Sequence, residues 1–97
     1  MVNRINMSKR WVNIFKALGN INRIKIIQML ANGESLSVTD IAGKIKVSIK
    51  STSRHLMILR NLELLDGEGK NGHVFYSINK NAPEDFKKAV KLFLEPK

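Results

Sequence analysis

The stretch VSIKSTSRHLMILRNL, residues 47–62, decides the fold that we expect for this chain. Its core-facing positions recur at the spacing of an amphipathic α-helix. They are Thr52, Leu56, Leu59 and Leu62. The first two turns instead carry hydroxyl and cationic side chains, where a helix that served only a core would favour Glu, Ala and Leu. Because a helix N-terminus offers free N–H groups and partial positive charge, we predict that Ser48 caps this helix and that its first turns face an anion.

A short helix is predicted just before this stretch, in SLSVTDIAGKI, residues 35–45. Ser37 is its expected cap, and Asp40 three positions later completes a variant of the capping box. Ile41 and Ile45 should point into the core. Two helices joined by so short a turn form a helix-turn-helix.

A further helix is predicted in NINRIKIIQMLANG, residues 20–33, between a capping Asn20 and a terminating Asn32-Gly33 pair. Its apolar stripe is Ile21, Ile24, Ile27 and Leu30, with Ile26 beside it.

The end of the chain changes pattern. Asn71-Gly72 is a strong type I′ turn signal, and residues 74–78 have the alternation of a strand, so we predict a β-hairpin. Helices over about residues 8–18 and 83–94 complete the chain. The order α-α-α-α-β-β-α is that of a winged helix-turn-helix, a mostly α fold with a small β-hairpin. At 97 residues we expect one DNA-binding domain over residues 1–97, with dimerisation helices at its ends.

Charge points to a polyanion as partner. The formal net charge is +9, and residues 1–33 and 41–62 carry six and five cations without one acid. The absence of cysteine excludes disulfides, thiolate metal sites and cysteine nucleophiles. The apolar runs are too short to span a bilayer, and the first residues lack the apolar region of a secretory signal. We therefore expect a cytoplasmic protein that does not use a membrane.

Double-stranded DNA suits the predicted helix, because a recognition helix places its N-terminal turns in the major groove. Arg54 is expected to contact guanine or phosphate, and His55 to contact phosphate or to be structural. Ile49 either touches a thymine methyl or packs locally. The candidate DNA contacts are Ser48, Ile49, Lys50, Ser51, Ser53, Arg54 and His55 on the helix, with Lys70 and Asn71 at the hairpin tip.

Large apolar residues on the terminal helices have two interpretations: one protomer's core, or the interface of a two-fold homodimer. We favour the interface, since a chain of this length needs few helices to close its core. A dimer would set two recognition helices about 34 Å apart, matching a palindromic site. The candidate interface residues are Trp11, Phe15, Phe86, Val90 and Phe93.

Three segments carry a resemblance to a known family. FKALGNINRIKIIQML (residues 15–30) resembles the ALGNPTRLRILELL opening of the ArsR/SmtB repressors, and VSIKSTSRHLMILRNLELL (residues 47–65) resembles their LSQSTVSRHLKVLREAGLV recognition segment. GHVFYSI (residues 72–78) is similar to their wing strand, RWVYYSL. The resemblance implies a homodimeric winged-helix repressor whose fourth helix reads operator DNA, in a family where many members release DNA on binding a metal.

Departures from the family pattern alter the expected regulation. Many metal-sensing members carry ELCVCEL where this chain has SLSVTDI, so Ser37 and Thr39 stand where the two thiolates would be. The last helix, residues 84–95, lacks the histidines of the other common sensing site. We therefore expect no metal and no cofactor. Ile49 and Lys50 replace a Gln-Ser pair, and Glu63 replaces a common glycine after the recognition helix.

Other functions stay open at this point. A winged helix can act as a protein-interaction or dimerisation adaptor, although such a face normally exposes aromatics or mixed charge. It can also bind RNA. An enzyme is not expected, because the sequence has no nucleophile–base set, no paired carboxylates in a pocket pattern and no phosphate-binding glycine loop followed by a helix.

Overall fold

The computed structural model describes residues 2–95, with side chains described from Lys9 onward. Its helices are α1 (Val2–Leu18), α2 (Ile21–Leu30), α3 (Val38–Ile45), α4 (Ile49–Asn61) and α5 (Glu84–Ala89), and α5 continues as a π-helical segment over Val90–Leu94. The strands β1 (Leu36–Ser37), β2 (Leu65–Lys70) and β3 (His73–Ile78) form an antiparallel sheet in the order β1-β3-β2. This architecture confirms the predicted winged helix-turn-helix.

Side-chain caps begin the three middle helices, as the sequence predicts. The side-chain oxygens of Asn20, Ser37 and Ser48 each accept a hydrogen bond from a backbone N–H two or three residues later, at 3.0–3.1 Å. Such a cap stabilises a helix by about 1 kcal/mol. The Ser48 cap also sets the start of α4, and therefore which of its residues lie in the first turn.

The hairpin turns where the sequence places it. Asn71 and Gly72 have φ angles of 52° and 78°, both left-handed, as a type I′ turn requires. The strand β1, which the sequence does not predict, pairs with β3 through Leu36 opposite Tyr76 and Ser37 opposite Phe75. Two residues are too few to show a strand periodicity, so only the fold reveals that the wing is tied to the helix-turn-helix.

Every helix contributes to the apolar core. From α4, Leu56 and Leu59 are fully buried together with Thr52, as predicted. The predicted stripe of α2 is wrong at its first position, since Ile21 is 63% exposed. Ile26, predicted beside the stripe, is fully buried. Ile21 is the first residue of α2, and the buried face of this helix lies farther along it.

Two helix starts also differ from prediction. The helix α1 begins at Val2, six residues before the predicted start, because residues 2–8 contain no proline or glycine to stop it. Pro83 precedes α5 as its N-cap residue instead of opening it.

Glu63 ends the recognition helix in a left-handed conformation, with φ of 62°. The N–H groups of Glu63 and Leu64 donate to the carbonyls of Arg60 and Leu59, the paired bonds of a Schellman motif. Glycine is preferred at this position because a side chain there costs about 1 kcal/mol. The turn therefore keeps the geometry that a glycine would allow, despite Glu63.

Candidate nucleic-acid interface

The N-terminal half of α4 presents a cationic face to solvent. Lys50 and Arg54 are exposed and lie four positions apart, so they share one side of the helix. Between residues 9 and 95, where side chains are described, neither cation forms an ion pair. Ile49 is 56% exposed beside them. Both cations are therefore free to meet an external anion.

The remaining candidates on α4 divide by exposure. Ser48 is exposed, with its hydroxyl engaged as the helix cap, while Ser51 and Ser53 are half-buried. The predicted residues of α4 thus lie in its first two turns, with Lys50 and Arg54 on the side away from buried Thr52 and the half-buried residues between. At the wing tip, Lys70 and Asn71 are both exposed.

His55 lies half-buried at the edge of this face. Its Nδ1 accepts a hydrogen bond from Arg23 Nε at 3.1 Å, and Arg23 Nη1 donates to the carbonyl oxygen of Ala17 at 3.0 Å. Burial, and then the Arg23 charge, lower the pKa of His55 below its ordinary value of 6.5. Both effects favour the neutral form of His55.

An apolar cluster joins α1 to the C-terminal helix. Phe15 and Phe93 are 66% and 78% exposed, and Phe15 stacks on Trp11 with ring centroids 5.1 Å apart. A cavity of about 340 Å³ lies against this cluster. Its lining residues are Trp11, Phe15, Leu18, Ala89, Phe93 and Leu94. Exposed apolar surface of this kind is typical of sites that contact another molecule.

Two of the predicted interface residues belong to the protomer's own core, so their assignment is wrong. Phe86 is 1% exposed and Val90 is 6% exposed. Neither side chain can reach a partner without unpacking the chain that carries it. Of the predicted interface residues, Phe15 and Phe93 are exposed and Trp11 is half-buried beside them.

A polar cluster holds α1 against α5 beside this surface. The Arg10 guanidinium donates to both oxygens of Asp85, at 3.2 and 2.6 Å, and Trp11 Nε1 donates to Asp85 at 2.7 Å. The bonds from Arg10 foremost, with those from Trp11 and the Phe86 N–H, lower the pKa of Asp85 to about 2. The cluster fixes the orientation of Trp11 at the edge of the apolar surface.

Asp85→Asn is expected to lower the free energy of unfolding by about 1 kcal/mol at neutral pH, the upper range for a solvent-exposed ion pair. The folded-state pKa of about 2 lies below the ordinary 3.8, so this stability is present above 3.8 and is lost as pH falls through about 2. Denaturant unfolding of both proteins across this range should show the difference closing. The control is Asp66→Asn at an exposed strand position. A difference that persists at the lowest pH would contradict the account.

Known proteins of similar sequence include DNA-binding regulators. A sequence profile described as the arsR family of bacterial regulatory proteins matches residues 20–66. The chain is 34% identical over 73 residues to the transcriptional repressor SdpR of Bacillus subtilis, covering 75% of this chain and 80% of SdpR. The chain belongs to the ArsR family. It is therefore a transcriptional regulator of the DNA-binding winged helix-turn-helix type, and not an enzyme.

Two further relatives extend the comparison. The cadmium resistance regulatory protein CadC of Listeria innocua is 40% identical over 67 residues, which cover 69% of this ArsR-family chain but only 56% of CadC. The homodimeric winged helix-turn-helix DNA-binding domain of Mb0332 from Mycobacterium bovis superposes with a TM-score of 0.77 at 25% identity, covering 92% of this chain and 79% of that domain.

The metal sites common in the family do not fit the residues of this ArsR-family chain. The Ser37 hydroxyl is used as the cap of α3, and neutral hydroxyls such as Ser37 and Thr39 are poor ligands for borderline metals. Within the described residues, no group of three or more His, Asp or Glu side chains is placed to hold a metal ion. No helix in that part is long and apolar enough to cross a membrane.

Sequence reasoning missed the residue that contacts His55. Arg23 lies on α2, 32 positions away from His55 along the chain. In the sequence Arg23 stands between Asn22 and Ile24 like an ordinary surface cation, so no local signal identifies this contact. Only the packing of α2 against α4 brings the two side chains together.

Proposed function

We propose that this protein is a homodimeric repressor that binds a specific operator through the recognition helix of each protomer. The observation that carries the proposal is the acid-free cationic face of α4, formed by Lys50 and Arg54, neither of which is in an ion pair with a described side chain. The proposed contacts also include the other candidates of α4 and the wing residues Lys70 and Asn71. Residues 1–97 act together as one domain.

The proposed repression and dimerisation are supported by the relatives, and dimerisation is also supported by the apolar surface. SdpR is a transcriptional repressor, and the Mb0332 domain is a homodimer. In this chain the exposed Phe15 and Phe93 supply an apolar surface that a second copy can bury. The hydroxyls of Ser37 and Thr39, in place of the two thiolates, support regulation that does not use the thiolate metal site. A regulator of bacterial DNA acts in the cytoplasm, where we place this protein.

Affinity for DNA is expected to fall steeply with salt. If each dimer neutralises about six phosphates, raising salt from about 50 to 200 mM should weaken binding by about three orders of magnitude. Fluorescence anisotropy with a fragment selected from random DNA measures this slope, and unselected DNA of the same length is the control. A slope near zero, or equal affinity for both fragments, would contradict the proposal and favour the adaptor function.

A further inference from the structure

The contact between Arg23 and His55 determines which nitrogen of the imidazole carries the proton. A guanidinium has only donors, so His55 Nδ1, which receives the Arg23 Nε–H at 3.1 Å, must be unprotonated. A neutral imidazole holds one proton, which is then on Nε2. The geometry thus selects one tautomer of His55.

The orientation of Arg23 is itself fixed from a second side. Its Nη1 donates to the carbonyl oxygen of Ala17 in the last turn of α1, at 3.0 Å. Two bonds on different parts of the guanidinium leave little freedom of rotation. Arg23 therefore links the end of α1 to the recognition helix and holds the imidazole plane of His55.

The second nitrogen of His55, Nε2, is not used by the contact with Arg23. His55 is half-buried on α4, next to Arg54 of the cationic face. Among the side chains from residue 9 to 95, none bonds to His55 Nε2, whereas Nδ1 is occupied. A neutral N–H donor at the edge of a cationic face is suited to a phosphate oxygen.

We infer that Arg23 is a positioning residue for DNA binding: it locks His55 as a neutral donor that gives its Nε2–H to a backbone phosphate. The inference rests on the proposed function, but it adds a residue that touches no DNA. Arg23 acts through His55, and its charge next to Nδ1 opposes protonation at that nitrogen.

The tautomer is tested on the full chain with isotope-labelled histidine. A long-range proton–nitrogen correlation spectrum at neutral pH should show His55 with its proton on Nε2 alone. Arg23→Met should convert that signal to a mixture of tautomers, and the signal of His73, exposed on the wing, should stay unchanged as the internal reference. A wild-type His55 that is protonated on Nδ1, or is already a mixture, overturns the inference.

The role of His55 in DNA binding is tested by replacing it with two amide side chains, each of which places its nitrogen near a different nitrogen of the imidazole. Glutamine places its N–H₂ near the position of Nε2, and asparagine near that of Nδ1. We expect His55→Gln to bind operator within a few-fold of wild type, and His55→Asn to lose about tenfold, the effect of one hydrogen bond to a charged acceptor. Equal losses in the two variants would overturn the inference.

A double-mutant cycle then assigns the effect of Arg23. Arg23→Met should weaken operator binding about tenfold alone, and by less than twofold in the His55→Asn background, because the two residues act as one unit. Thermal unfolding identifies any variant that is not folded. If a variant of this cycle fails to fold, the tautomer spectrum and the Gln–Asn comparison still decide the inference. Wild-type protein that fails to bind selected DNA refutes the proposed function, while normal binding with no Gln–Asn difference refutes this inference alone.

Discussion

Replacing both Lys50 and Arg54 with alanine is expected to lower operator affinity by about 2–6 kcal/mol, thirtyfold or more. Both side chains are exposed on one side of α4 and lack an acidic partner among the described residues, so each is available to DNA. Each single substitution should cost about 1–3 kcal/mol if the side chain reads a base. Since the two positions lie one turn apart, the double variant also measures their coupling.

The single variants separate base reading from phosphate contact. Loss of a base contact should reduce the preference for selected over unselected DNA. Loss of a phosphate contact should weaken both equally and lower the salt slope by about one. Lys25→Ala is the matched control, because it removes the same charge from an exposed position on α2. If neither variant binds more weakly than that control, the assignment of α4 as the recognition helix is wrong.

Phe93→Glu is expected to convert the dimer into a folded monomer and to weaken binding to a two-half-site operator by about 10²–10⁴-fold, the advantage of linked sites. Phe93 is 78% exposed, so a carboxylate there costs the protomer little, whereas burying that charge in an apolar interface is unfavourable. Light scattering with size-exclusion chromatography gives the mass, and circular dichroism confirms the helix content.

Two comparisons make this test specific. Ile21→Glu adds the same charge at a position that is 63% exposed on α2 and should leave the dimer intact. Phe86→Glu should instead unfold the chain, because Phe86 is 1% exposed in the core. A Phe93→Glu protein that remains dimeric would show that the interface lies elsewhere.

The local signals of the sequence were sufficient for the fold. Polar caps such as Ser37 and Ser48, the Asn71-Gly72 turn and the two-sided pattern of α4 each depend on neighbouring residues, so they can be identified without a structure. The strand β1 could not be predicted, because its two residues become a strand only by pairing with β3.

Which aromatic residues of the last helix are buried could not be predicted from the sequence. Phe86 and Phe93 are seven positions apart, nearly two turns, so an ideal helix would place them on the same side. One is buried and the other exposed. The core covers only the first part of this helix, and the π-helical segment from Val90 shifts the register beyond it. The contact of Arg23 with His55 was equally hidden, because it depends on how separate helices pack.

The short strand β1 has a consequence for how an operator is chosen. The hydroxyl of Ser37 caps α3, the first helix of the helix-turn-helix, and its backbone lies opposite Phe75 in the sheet, so one residue ties the hairpin to the helix-turn-helix. Because the hairpin and the helix-turn-helix are held together, a duplex whose groove width or twist does not match them must itself deform to bind. Stiff sequences resist such deformation and flexible steps permit it. We therefore expect this regulator to discriminate among DNA sites by how easily they bend and twist, even at base pairs that no side chain reaches.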